Sequence, residues 1–166
     1  MVRVRGVLSF LKRAAPYPFL LALLVSCGQV ENPMVGFETI AQGMNSGITT
    51  PERLEAIRDQ TKWNEFWKSH DGADSEVPSV NFVSETVIVV HLGLRPSAPH
   101  MDNAVNITNV ENERGIKLVI HYELLVPSSG CLDRELFASQ PHHIIKILRN
   151  DEEPVFIRSE RKFNCT

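Results

Sequence analysis

The sequence has no run of about 20 apolar residues, the length needed to cross a hydrocarbon core, so no transmembrane helix is expected. It has only three cysteines, at positions 27, 131 and 165, and none sits in a paired-cysteine metal motif. H-E-x-x-H is also absent, which removes the usual helical zinc-protease pattern. No G-x-S-x-G elbow, Gly-rich phosphate loop or dinucleotide fingerprint occurs, so nothing supports a serine-elbow hydrolase, a P-loop enzyme or a dinucleotide enzyme. Positive charge is not in excess, the formal net charge being -3. Nucleic-acid binding relies on cationic patches that neutralise phosphates, and no nucleic-acid partner is expected.

Acidic residues are missing from the first 26 positions, where Arg3, Arg5, Lys12 and Arg13 precede the apolar run Phe19-Leu20-Leu21-Ala22-Leu23-Leu24-Val25. Charge followed by a short apolar stretch is the order of an export signal. Pro16 and Pro18 would break a helix extended backwards from the run. The run ends in Leu24-Val25-Ser26-Cys27, which resembles the lipobox of bacterial lipoprotein signals: Leu, a free position, a small residue, and the cysteine that is lipidated. The expectation is a signal peptide over 1–26, lipid on Cys27, a tether over 27–35 and a domain over 36–166. The alternative is an ordinary signal peptide with an incidental cysteine. Gly28, rather than Asp, after the cysteine is similar to lipoproteins released to an outer membrane. The expected location is therefore the bacterial cell envelope, lipid-anchored, at the outer membrane where the host has one. Each buried acyl methylene would contribute roughly 0.8 kcal/mol, so several chains on one cysteine make a stable anchor.

Acylation of Cys27 would leave Cys131 and Cys165, which allow one connectivity. In an oxidising envelope a Cys131–Cys165 disulfide is expected, worth roughly 3–4 kcal/mol in the loop-entropy model; two reduced thiols are the alternative. Loss of 1–26 takes the formal charge to about -7, a balance that suits solubility or a basic protein partner. Roughly 140 residues remain, enough for one domain with a real core.

Residues 36–41 alternate weakly as an opening strand, 43–51 are turn-rich, and 53–58 form a second short strand. The clear helix runs over 60–70, with Asp59 or Thr61 as N-cap and Gly72 placed to end it. Trp63, Phe66 and Trp67 at i, i+3 and i+4 put three large rings on one face. Packing on a sheet is the commoner use of such a stripe, and lining a ligand groove is the rarer one. The apolar run 86–92 suits a central strand covered on both faces. Residues 105–110 and 116–126 read as two strands joined by 111–115, the second with one wetter face bearing Lys117, His121 and Glu123. Two further strands, 143–148 and 155–159, flank a turn at Asn150-Asp151. The expected fold is a single α+β domain, mostly antiparallel sheet with one packed amphipathic helix.

Six histidines invite a metal reading. His142 and His143 are adjacent, and neighbouring residues on a strand point to opposite faces, so the pair cannot easily serve one ion. His121 and Glu123 share a face and, with His91 or His143, could supply a zinc-like ligand set. The alternative places these histidines on solvated strand faces and edges, and no metal or other cofactor is expected. Ser128-Ser129-Gly130 reads as a turn, and no base is marked out beside Ser or Cys131. A non-enzymatic binding module is expected rather than an enzyme.

Ala41-Gln42-Gly43, Ser46-Gly47-Ile48, Ile57-Arg58, Trp63 with Phe66-Trp67, the strand 87–92, Gly93-Leu94-Arg95-Pro96, Gly130-Cys131 and Pro141-His142-His143-Ile144 occur in that order. Together they resemble the PrcB-like family of protease-complex proteins, which are exported by bacteria and often lipidated, over about 36–165. The resemblance implies an accessory protein that supports a secreted protease. The chain departs from the family pattern after Arg95-Pro96, where Ser97-Ala98-Pro99-His100-Met101 replaces a Gly-Gly-Tyr turn. It departs again after the cysteine, where Arg134-Glu135 replaces a Thr-Gln pair. Loops on a rigid sheet often carry recognition. The expected partner surface is accordingly the loops 95–102 and 127–140, with Arg95, Pro96, His100, Arg134 and His142 as contacts for another envelope protein. A periplasmic domain that binds a small ligand or metal through strand-face histidines is the alternative.

Overall fold

Backbone pairing sorts the longer strands of the computed structural model into two sheets that share a core. The described residues are 33–97, 103–113, 117–131 and 137–164, all within the compact unit Glu31–Thr166. The first sheet contains β1 (Phe37–Gly43), β2 (Arg53–Ile57), β3 (Glu85–His91) and β8 (His142–Leu148) in the order β1-β8-β3-β2, antiparallel throughout. The second contains β5 (Val105–Glu113), β6 (Lys117–Pro127) and β9 (Pro154–Phe163) in the order β5-β6-β9. Here β5 pairs antiparallel with β6, whereas β9 runs parallel to it. The short strands β4 (Arg95–Ser97) and β7 (Phe137–Ser139) form a separate ribbon.

The single helix, α1 (Gln60–Asp71), begins where the Asp59 side chain accepts the Lys62 N–H at 2.8 Å, satisfying one orphan donor of the first turn. It ends at Gly72, whose φ of 101° few other residues adopt, with the Gly72 N–H donating to the Lys68 carbonyl. Trp63, Phe66, Trp67 and His70 form its buried stripe. Trp63 is fully buried, and its indole N–H reaches the Pro78 carbonyl at 2.8 Å, so the ring brings no unsatisfied donor into the core.

The layers are helix, first sheet, second sheet. On the helix side of the first sheet, Ile57, Val87, Val89 and Ile144 meet Trp63, Phe66 and Trp67. On the other side, Ile88, Val90, Leu92, Ile145 and Ile147 meet Val105, Ile107, Val110, Leu118, Ile120, Tyr122 and Leu124 of the second. β3 is therefore covered on both faces, as its unbroken apolar run predicts. The protein is a single α+β domain of mostly antiparallel sheet with one packed helix.

The Trp pair is buried between helix and sheet and lines no ligand groove. β4 and β7, at three residues each, are strands that the sequence pattern does not announce. The residues that join β5 to β6, 114–116, lie outside the described set. β8 and β9 flank the turn at Asn150 but do not pair; they leave it into different sheets. That turn is tied down by Thr86, which exchanges two hydrogen bonds with Asn150, and by Arg58, whose guanidinium donates to the Asn150 carbonyl at 3.0 Å.

Candidate functional site

Strand parity decides where the histidines go. In β3 the odd positions 87 and 89 face the helix, and His91 continues that side. In β8, Ile144 faces the helix and Ile145 the second sheet, so His142 belongs with His91 and His143 does not. The register places His142 directly opposite His91 on one side and Gly43 on the other. Gly43 lies against it: a Cβ at that position would stand in ordinary contact, 3.4 Å from the His142 ring. The last turn of α1 then lays His70 over the pair. Gly47 allows this approach, because its N–H binds the His70 carbonyl at 2.7 Å and a Cβ on it would press to 2.6 Å from the Ser69 carbonyl oxygen.

The result is a cluster of three buried imidazoles from α1, β3 and β8. One nitrogen from each of His70, His91 and His142 lies within 4.8 Å of the other two. The His70 ring meets His142 edge-on at 4.4 Å between centroids, and His91 and His142 are parallel at 5.9 Å. Burial lowers the pKa of His70 to about 3 and of His91 to about 4, and also lowers that of His142. Mutual repulsion among the rings adds to the effect, so all three are neutral at pH 7.

Neutral imidazole carries one proton and one lone pair, and the surroundings decide which nitrogen has which. His142 Nδ1 lies 3.1 Å from the Gln140 carbonyl, so it is the donor and Nε2 holds the lone pair. His91 Nδ1 accepts the Gly93 N–H at 3.1 Å, which assigns the proton to Nε2, hydrogen-bonded to Ser46 Oγ at 2.7 Å. His70 Nδ1 is buried without a hydrogen-bond partner. Arg53, paired with Glu55 at 2.6 Å, stands near His91 and packs over the Phe66 ring at 5.1 Å.

His143 faces the other way. Its Nδ1 accepts the Ile107 N–H at 2.8 Å and its Nε2 lies 2.9 Å from Thr39 Oγ1, so it fastens β8 to the second sheet and to β1. The two adjacent histidines thus serve opposite faces. The expected ligand set of His121 and Glu123 with His91 or His143 does not assemble. His121 Nε2 lies 3.4 Å from a Glu111 carboxylate oxygen and Glu123 accepts from Arg161 at 2.9 Å, while His91 gathers with His70 and His142 and His143 accepts the Ile107 N–H. Nor are His91, His142 and His143 on solvated faces; all three are buried, because β3 and β8 are the inner strands of the first sheet. His70 is the member that the sequence reading does not single out, although it stands at i+7 from Trp63 and so extends the same buried stripe.

The residues expected to meet a partner divide into three groups. His100 and Arg134 lie outside the described residues. His142, at 5% exposure, is turned inward and is not a surface contact. Arg95 and Pro96 sit on β4, which pairs with β7 in the register Arg95↔Ser139, Pro96↔Ala138 and Ser97↔Phe137. The buried Ser97 and Ser139 hydroxyls bond one another across this ribbon. The described parts of the two expected loops, 95–97 and 137–139, are therefore paired in one ribbon; Leu94 beside it and Phe137 at its end are each about half exposed. Beside it Arg95, Pro96, Ala104, Leu125, Pro127 and Pro141 line a largely apolar groove of about 180 Å³. Arg95 also donates to the Leu92 carbonyl at 3.1 Å and approaches Glu52 at 3.9 Å.

Cys131 is fully buried at the end of a 3-10 turn (Ser129–Cys131). Cys165 and Cys27, which complete the expected disulfide and lipid sites, lie outside the described residues. Among the described residues no helix is long and apolar enough to cross a membrane. No protein-family model, curated protein or solved structure matches the chain.

Proposed function

We propose that the chain is an envelope lipoprotein, held to a membrane by lipid on Cys27, whose folded domain is a non-enzymatic module that binds another envelope protein through the β4–β7 ribbon. The single observation that supports the binding half is the pairing of β4 with β7, which joins part of each expected loop into one ribbon with Pro96 and Ala138 exposed on one face, Leu94 exposed beside it and Phe137 half exposed at its end. Apolar side chains beside a groove, on a scaffold fixed by a sheet, suit protein contact. The anchoring half rests on Leu24-Val25-Ser26-Cys27 directly after the apolar run. The resemblance to the PrcB-like family favours a secreted protease as the partner, and the acidic mature chain favours one with a basic contact surface.

Fractionation after labelling with a fatty-acid analogue tests the anchor: label and membrane association should both disappear in Cys27→Ala, and a soluble, unlabelled wild type would contradict it. For the surface, the Leu94→Ser/Phe137→Ser double variant should keep the wild-type unfolding midpoint and lose capture of the partner. Undiminished capture would remove the ribbon from the proposal.

A further inference from the structure

We propose that His70, His91 and His142 form a binding site for one transition-metal ion of the borderline class, zinc(II) foremost, at the seam between the end of α1 and the first sheet. The site is independent of the partner surface described above.

Tetrahedral zinc with nitrogen ligands at about 2.0–2.1 Å sets those nitrogens about 3.4 Å apart and the ring centroids about 5 Å apart. The three candidate nitrogens already lie within 4.8 Å of one another, and the centroid separations are 4.4, 5.9 and 6.1 Å. The observed spacings bracket the required one, and the nitrogens must draw together by up to about 1.4 Å to hold an ion. Each donor comes from a separate element whose position is fixed by other contacts: β3 and β8 by their ladder, α1 by its Trp–Phe stripe.

The hydrogen bonds around the rings are of the kind that hold metal-ligating histidines. His142 donates Nδ1–H to a backbone carbonyl, which fixes the ring and leaves Nε2 bare. His91 has both ring nitrogens hydrogen-bonded, Nδ1 to the Gly93 N–H and Nε2 to Ser46 Oγ, so the ion must displace one of these bonds. His70 supplies the strongest pointer. Its Nδ1 is buried in a residue 4% exposed and has no hydrogen-bond partner, a state that costs free energy and calls for an explanation. A cation at the centre of the cluster would satisfy it.

Burial keeps all three rings in the neutral form that binds metal, so an ion need displace no proton from them near pH 7. Three imidazoles suit zinc, copper(II) or nickel(II) over magnesium or calcium, which take oxygen ligands. A fourth position is left for water or another small ligand. Arg53 opposes a nearby cation, and its ion pair with Glu55 reduces that opposition.

The test uses the full chain, purified in detergent and stripped with a chelator, with zinc(II) or cobalt(II) alone as probe. Zinc should bind at one equivalent per chain and raise the melting temperature, and cobalt should give the intense visible absorption of a four- or five-coordinate nitrogen site. His70→Gln and His142→Gln should each weaken zinc binding by more than about 100-fold, the upper end of what the loss of a mere supporting partner costs. His121→Gln, which alters a histidine beside Glu111 and outside the cluster, should bind as the wild type does. Histidine nitrogen NMR on the wild type gives a readout that survives a variant's failure to fold: the His70 Nδ1 and His142 Nε2 resonances should shift with the first equivalent of zinc. An unperturbed spectrum, absence of one-equivalent binding, or binding that follows His121 and ignores His70 and His142 would overturn the proposal.

Discussion

His143 accepts the Ile107 N–H in the dry interior between the sheets. Replacing it by Leu keeps the volume apolar but orphans a buried N–H, at a cost of about 1–3 kcal/mol that urea denaturation would show. Trp63 is a larger loss. It is fully buried against Phe66 and Trp67, and Trp63→Ala should destabilise the fold by about 3–5 kcal/mol in the same measurement. Gly93 sits at φ 67° with its missing Cβ aimed 2.3 Å from the Thr50 carbonyl oxygen, so Gly93→Ala is both strained and obstructed. That substitution lies next to the Gly93 N–H that His91 accepts, and should disturb the histidine cluster as well as the loop.

At the scale of elements, α1 depends on its cap: Asp59→Ala should cost about 1 kcal/mol and fray the first turn, visible as faster amide exchange over residues 60–63. Helix and inner strands are legible in the sequence because each carries a long signal. The 63, 66, 67 spacing marks one helical face, and the unbroken run in β3 marks a strand covered on both sides. β4 and β7 are not legible, since three residues cannot show a period and their pairing spans some 40 residues of intervening chain. β9 shows the same limit in another form. Its residues read locally as a strand, but nothing local says that it turns away from β8 and runs parallel to β6. The histidine cluster is hidden for a combined reason: parity correctly separates His142 from His143, but without the sheet order neither the His91↔His142 register nor the approach of His70 can be read.

For the whole molecule, the buried histidines link folding to pH. In the folded state His91 and His143 titrate at about 4 and His70 at about 3, against 6.5 when exposed. Below pH 6.5 the unfolded chain therefore binds more protons than the folded one. Their contribution to stability is complete above pH 6.5 and is lost progressively as pH falls through about 4 and then 3. Urea midpoints of the metal-stripped protein should decline over that window, and the decline should be shallower in His143→Leu. The proposed Cys131–Cys165 bridge acts on the same quantity: Cys165→Ser should lower stability by roughly 3–4 kcal/mol, and a count of two reactive thiols on denatured, unreduced protein would exclude the bridge.

Most direct for the binding function is site-specific photocrosslinking in the envelope, with the photoreactive residue placed at Leu94, at Phe137 or at Val83. Leu94 and Phe137 flank the ribbon, whereas Val83, 89% exposed, stands in the loop before β3 and outside the proposed surface. The expected result is one and the same envelope protein captured from positions 94 and 137, absent from position 83, and reduced when Cys27 is changed to Ala. Equal capture from all three positions, or none from the ribbon, would contradict a lipid-anchored module that binds its partner there.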